Sequence, residues 1–473
     1  MTFNYLEEPY LLFGKDRHIC PKFGIREYDV YDTRNATRKT EILVGLVGME
    51  DDVDLAVKWL ERCKAFIPAK PKARQPNLFQ PFLGFHKERG FCGSLLHSSE
   101  TTRFISPTEI DAIFSQKNKD QQVYAAVECF HEHGKFLSDV KNVDVIIYII
   151  PLSFEDTLVK AELLDDVEES AEDKHVPEIE TNFRRALKAK CMSFDTPIQL
   201  MRQKSLSDSK SNQDAATRAW NFCTAIYYKS LKTIPWKLEI DESKPKACYT
   251  GISFYRSRDR KTTQTSLAQI FNENGKGVIL RGTPVMADKD DGIPHLTYDQ
   301  SYSLLKDALT RYKFVLGSLP ARLVLHKTSK FYPDELGGVE AALQEFRITE
   351  VDIVTILETE IRFFRNALYP PVRGSMFSLS ESDHILYTRG SVHYYQTYAG
   401  LYIPAPLNIR IVKRVSSIKT VCNEILGLTK MNWNNAQFDN KYPITIGCAR
   451  RVGEIMKYLS ETDIPRESYA FYM

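Results

Sequence analysis

The sequence predicts an α/β chain of two domains, and three observations predict it. Short apolar strands alternate with amphipathic helical stretches along the first half. One strand, Val143 to Ile150, is apolar almost throughout, as a strand buried on both faces of a parallel sheet must be. Near residue 236 the pattern turns from helix-rich to strand-rich. The 473 residues are enough for two to three domains of roughly 150 residues each.

The first α/β unit is the strand Ile42 to Val47 followed by the stretch Asp52 to Phe66, where Val53, Leu55, Ala56, Trp59, Leu60, Cys63 and Phe66 keep a helical period. Prolines 68, 71 and 76, with basic residues between them, mark a loop. A second helix, Gln121 to Leu137, leads into the buried strand. The helix Gln213 to Ser230 has a core face of Ala216, Ala219, Trp220, Cys223 and Ile226. Pro235-Trp236-Lys237-Leu238 closes the first domain, 1–235, and the second is 236–473. In the second, the strands 247–254, 277–281, 322–326, 351–357, 384–387 and 408–412 alternate with the helices 301–316, 337–346 and 446–459.

Composition narrows the class. With 43% hydrophobic and 26% charged residues the chain is globular, and a net charge of +2 excludes a polycation, so any nucleic-acid site must be a local concentration of charge. The longest purely apolar run, Val145 to Ile150, is far short of the ~20 residues of a membrane span. No cationic stretch followed by an apolar one opens the chain, and the nine cysteines are scattered without a C-x-x-C pair. These features predict a cytoplasmic protein with reduced thiols.

Charge separates sharply after the second α/β unit. Residues 162–180 carry nine carboxylates and one basic residue, and read as a solvated linker or helix face. Residues 181–232 carry ten basic residues and three acidic ones. Within them Arg184 and Lys188 are four apart on one helix face, Gln199 follows on a short strand, and Lys229 lies near the end of its helix. Two cations, an amide and a third cation make a clustered donor set suited to a terminal phosphate. Lys204 to Asp214 reads as a polar loop.

The run from Phe183 to Met201 resembles the MID domain of Argonaute proteins, as does Ala225 to Leu238. Ile425-Leu-Gly-Leu-Thr-Lys-Met-Asn-Trp-Asn-Asn, Tyr442 to Arg451 and Arg322 to Ser329 resemble segments of a PIWI domain, and Cys20-Pro-Lys-Phe-Gly-Ile resembles the approach to MID. The resemblance implies a Rossmann-like MID domain followed by an RNase H-like PIWI domain. It covers nearly the whole chain and leaves no segment for the N and PAZ domains, as in the short prokaryotic Argonautes. It implies that Arg184, Lys188, Gln199 and Lys229 hold the 5′ phosphate of a guide strand. It further implies that the Met473 carboxylate, with Gln199 and that phosphate, takes a structural Mg2+.

The departures from the family pattern predict that the PIWI domain does not cut. Slicing relatives assemble carboxylates around two divalent metals. At the corresponding positions this sequence has Ser253, Lys327 and Arg450, which cannot hold a dimetal site. A cation there would repel metal and contact backbone phosphate instead. The expected protein is no enzyme itself but a guide-binding sensor. It takes a 5′-phosphorylated RNA guide and recognises complementary single-stranded DNA. Recognition then activates an APAZ-domain effector chain, a sirtuin-like NAD hydrolase in preference to a TIR one, in prokaryotic immunity against phage or plasmids. The alternative is an active guide-dependent nuclease in which Asp259, Glu273, Asp334 or Glu335 replace the missing carboxylates.

Other signals are weaker. His131-Glu132-His133 is not a metal motif, because residues two apart do not share a helix face. Asn274-Gly275-Lys276-Gly277 lacks P-loop spacing and reads as a turn. Tyr387, Tyr394, Tyr395, Tyr398 and Tyr402, with Arg389 and His393, read as core or hairpin before base-stacking. Lys413, Arg414, Lys419 and Lys430 are candidate phosphate contacts along a duplex.

Overall fold

A computed structural model describes residues 2–73, 75–157, 182–208, 212–240, 243, 246–258, 262–270, 277–285, 292–363, 370–398, 403–460 and 463–473. The acidic stretch 162–180, Asp259, Glu273 and Tyr402 lie outside the described residues.

Two sheets organise the chain. The first is five-stranded and parallel, with Ser94–Leu96, Glu41–Gly48, Val145–Ile150 and Ile198–Arg202 in that order and Thr102–Phe104 beside the far end of Glu41–Gly48. Its central strand shows why an unbroken apolar run is needed. Val145, Ile147 and Ile149 face one core with the helices Glu50–Lys64 and Ala215–Leu231. Ile146, Tyr148 and Ile150 face another, with Lys119–Asp139 and Phe183–Lys190. Both faces of the sheet are covered, as in a doubly wound α/β layer.

The second sheet has nine strands. In spatial order they are Thr2–Tyr5, Ser375–Ser378, Asp383–Leu386, Leu407–Lys413, Glu350–Glu358, Arg322–Lys327, Ala247–Arg256, Thr263–Ile270 and Gly277–Val285. Glu350–Glu358, Arg322–Lys327 and Ala247–Arg256 run parallel, and the remaining pairs are antiparallel. The helices Tyr298–Leu316 and Pro333–Glu345 pack on one face through Leu305, Leu309 and Leu343. Ile418–Leu428 and Ile444–Met456 cover the other through Ile425 and Ile446 against Val354 and Ile409.

The N-terminal end departs from the expected division at residue 235. Thr2–Tyr5 adds to the edge of the second sheet, and Glu8 reaches Arg373 at 2.7 Å and Lys430 at 2.6 Å in the interior. A long-range ion pair of this kind leaves no periodic trace in the sequence. The helix Ala215–Leu231 joins the two halves, since Tyr228 stacks on Trp433 with ring centroids 5.0 Å apart. Among the described residues no helix is long and apolar enough to cross a membrane.

Candidate nucleic-acid interface

An open cleft lies where the helix Phe183–Lys190 and the strand Ile198–Arg202 of the first half meet the helix Ile444–Met456 and the last residues of the chain. Arg184, Lys188, Gln199, Arg451 and Met473 line it. The helix Phe183–Lys190 is capped by Asn182, whose side chain accepts from the Arg185 N–H at 3.0 Å. It buries Phe183, Ala186 and Leu187, which leaves Arg184 and Lys188 on the cleft side, half-buried. The i, i+4 spacing therefore places two cations together.

Lys229 forms the floor. It is 1% exposed, and its Nζ donates to Gln199 Oε1 at 2.8 Å, to the Ile198 carbonyl at 3.1 Å and to the Met473 main-chain oxygen at 3.0 Å. Burial, with Arg184 and Arg451 nearby, pushes the ammonium down from its ordinary 10.5 to about 7. The segment before Met473 is anchored: Tyr469, Phe471 and Tyr472 are buried, and the Tyr472 hydroxyl donates to the Arg466 carbonyl at 2.8 Å. Arg184, Lys188, Gln199, Lys229 and Met473, drawn from positions 289 residues apart in sequence, thus share one site.

Arg451 is the residue that sequence reasoning missed. It follows Arg450 on the helix Ile444–Met456, and one helical step turns it by about 100°. Arg450 reaches Glu358 at 3.1 Å and lies 4.3 Å from the Tyr442 ring centroid, while Arg451 enters the cleft from the second half. Burial opposes ionisation of Glu358, yet the Tyr442 hydroxyl, Lys441 and Arg450 hold it down to about 2.

The three positions expected to carry carboxylates in a cutting relative lie at one end of the second sheet. Ser253 is buried on Ala247–Arg256, opposite Ser266, whose hydroxyl donates to the Ala449 carbonyl at 2.7 Å. Lys327 pairs in register with Ile252. Its side chain is fully buried, and Nζ binds Glu335 Oε1 at 2.5 Å, Oε2 at 2.7 Å and the Lys330 carbonyl at 3.0 Å. The expected contact of Lys327 with backbone phosphate is therefore corrected: its charge is spent internally. Gly251 has no room for a side chain, since a Cβ would stand 2.4 Å from the Thr445 carbonyl oxygen.

One further expectation changes. Lys430 is fully buried, bound to Glu8 at 2.6 Å and to the Pro9 and Ile19 carbonyls, so it cannot lie along a duplex. Lys413, by contrast, stays at the surface in an exposed ion pair with Glu340 at 3.1 Å, which leaves its expectation standing. Of the tyrosine cluster, Tyr387 and Tyr395 are buried, whereas Tyr394 and His393 are exposed.

Fold and site together define an α/β chain built on two large sheets, with a cationic pocket at the junction of its halves. No protein-family model matches the chain. It is 28% identical over 227 residues to the Argonaute of Aquifex aeolicus, a match covering 47% of this chain and 29% of that protein. Among solved structures it is similar to Clostridium butyricum Argonaute bound to a guide DNA and a 19-mer target DNA. That likeness has a TM-score of 0.67 at 15% identity, over 99% of this chain and 54% of the other. It is also similar to Marinitoga piezophila Argonaute in complex with a 5′ OH guide RNA (TM-score 0.58, 13% identity, 100% and 59% covered). The chain is thus similar in sequence to an Argonaute over about half of its length, and nearly all of it shares the fold of the corresponding part of solved Argonautes. It spans about half the length of those solved Argonautes.

Proposed function

We propose that this chain is a short, non-slicing Argonaute that anchors the 5′ phosphate of an RNA guide in the Lys229 pocket and presents the guide to complementary single-stranded DNA. The observation that carries the reading is the convergence of Lys229, Gln199, Arg184, Lys188 and Arg451 on one cleft. A terminal phosphate carries two negative charges near neutrality and three acceptor oxygens, and it matches a cleft rich in cationic donors. Beyond the pocket, affinity comes mainly from backbone phosphate neutralisation, and base pairing with the guide reads sequence.

The reading includes Mg2+ beside Lys229, not in its place, and one observation supports the donor set. Gln199 Oε1 and the Met473 main-chain oxygen already converge on a single cation, Lys229 Nζ, and both are hard oxygen donors. With phosphate oxygens completing its shell, such an ion would offset guide charge beside Met473. Lys229 holds the two oxygens in place.

Absence of cutting is supported by the chemistry of Ser253, Lys327 and Arg450. A guide-loaded chain in Mg2+ or Mn2+ is expected to leave a matched target intact on a denaturing gel. Guide-dependent cleavage at a fixed position would revive the nuclease alternative. A binder that does not cut needs an output, and the reading assigns it to a separate APAZ-domain chain carrying a sirtuin-like or TIR NAD hydrolase. Immunity against phage or plasmids follows from that pairing.

The pocket also sets a pH dependence. With the free Lys229 ammonium near 7, bound phosphate raises its proton affinity again, so binding takes up a proton above that pH. Affinity for a 5′-phosphorylated guide is expected to fall as pH rises from 7 to 9, by up to about tenfold per unit. A 5′-hydroxyl guide should show no such fall; parallel pH profiles for the two guides would remove Lys229 from phosphate binding.

The test of the whole reading is to purify the chain from cells and end-label its nucleic acid with and without phosphatase treatment. Short RNAs that accept label only after phosphatase support it. An unphosphorylated smear, or no nucleic acid, overturns it.

A further inference from the structure

A second cluster of chemically capable side chains lies on the first half, outside the phosphate pocket. The helix Lys119–Asp139 carries Cys129 and His133 four residues apart, so both project from one face. Glu109 comes from the third position of the preceding helix, Pro107–Phe114. Its carboxylate is oriented before any ligand arrives, because Oε2 accepts from the Ser106 N–H at 2.8 Å and from the Ser106 hydroxyl at 2.7 Å. Oε1 is left facing His133 Nε2 at 3.0 Å and Cys129 Sγ at 3.9 Å. The ligand atoms of all three residues lie within 4.8 Å of one another.

We propose that Glu109, Cys129 and His133 form a Zn2+-binding site with three protein ligands and a fourth position for water. A thiolate, an imidazole and a carboxylate are the ligand types that Zn2+ takes. Tetrahedral Zn2+ needs ligand atoms about 3.3–3.7 Å apart, so the triad closes on an ion with shifts of a few tenths of an ångström to about one. Ser106 then acts as the outer-shell partner that fixes the carboxylate. The site is reachable, since the Glu109 side chain is 42% exposed and His133 12%. On binding, the Cys129 thiol proton passes to solvent, the imidazole binds as the neutral ring, and its hydrogen bond to Glu109 is replaced by shared coordination. The consequence is a clip between two helices that are otherwise joined by four residues, 115–118.

This differs from the His131-Glu132-His133 pattern that the sequence shows first. His131 turns away to Ser193 at 2.8 Å and stacks on Phe194, so the two histidines do not share an ion.

The test is Co2+ titration of the reduced, metal-free chain, read by the sulfur-to-cobalt charge-transfer absorption. One equivalent is expected to produce the band and Zn2+ to bleach it. Cys129→Ser and His133→Asn should each remove it, with far-UV circular dichroism unchanged. Cys92→Ser should keep it; Cys92 is the other cysteine that is not buried. Glu109→Gln, which retains a capping side chain, should weaken Co2+ binding at least tenfold. In thermal melts Zn2+ should raise the midpoint of the unchanged chain and leave that of Cys129→Ser where it was. A chain without the band, or a band that survives Cys129→Ser, overturns the site.

Discussion

Replacing Lys229 with alanine is expected to weaken binding of a 5′-phosphorylated guide about 100-fold or more while changing 5′-hydroxyl guide affinity little. Removing one partner of a buried, hydrogen-bonded charge pair costs about 2–5 kcal/mol, and each 1.4 kcal/mol is roughly tenfold. Lys229 meets that description once one of its three N–H donors turns from Gln199, which itself lines the cleft, to the phosphate, the other two staying on Ile198 and Met473. Lys188 is half-buried at the cleft wall, where water competes for the phosphate, so Lys188→Ala should cost about tenfold. The pair together should erase discrimination between the two guides. Lys229→Ala also leaves three oxygens without their donor, which lowers stability by about 1–3 kcal/mol each at most. Lys188→Ala and Arg184→Ala leave those three hydrogen bonds standing and separate recognition from folding. Equilibrium binding with both guides measures the ratio, and an unchanged ratio in Lys188→Ala/Lys229→Ala sinks the pocket.

Legibility in the sequence followed the physics of each element. Val145–Ile150 could be read because burial on both faces demands an unbroken apolar run. The strand Thr263–Ile270 escaped notice because its residues, TQTSLAQI, are largely polar; pairing with Ala247–Arg256 makes it a strand. Thr2–Tyr5 is an edge strand with every residue exposed, and its partner Ser375–Ser378 lies in the second half of the chain. At the site, Arg184 and Lys188 were readable as neighbours through helical spacing, and Lys229 and Gln199 through family resemblance. Arg451 was not, because only the docking of the two halves brings its helix to the cleft. Lys430 looked like a surface cation for the converse reason: the carboxylate that permits its burial, Glu8, belongs to the opening segment. In the proposed Zn2+ triad, the histidines two apart mask the Cys129–His133 pair one helical turn apart.

Glu335→Ala is expected to destabilise the chain by about 3–5 kcal/mol, the loss typical when a buried ion pair is broken from one side. Glu335 is 1% exposed and neutralises a fully buried Lys327, whose ammonium is already pulled downward by burial against the attraction of that carboxylate. It also accepts from the Leu296 N–H at 2.6 Å and the Tyr332 N–H at 2.8 Å, so alanine strands two backbone donors as well. Lys327→Met/Glu335→Gln should be milder than Glu335→Ala, because the amide oxygen still serves a backbone N–H and no charge is left alone. Urea unfolding of the three chains measures the order, and a loss below about 1 kcal/mol for Glu335→Ala would dissolve the argument. The same pair bears on cutting. Lys327→Asp would set two carboxylates together in an enclosed place, where like charges resist joint ionisation. Ser253 and Arg450 would still supply no carboxylate. Restoring one acidic position therefore trades a satisfied ion pair for a strained one, and the expected product is a less stable chain that still leaves its target whole.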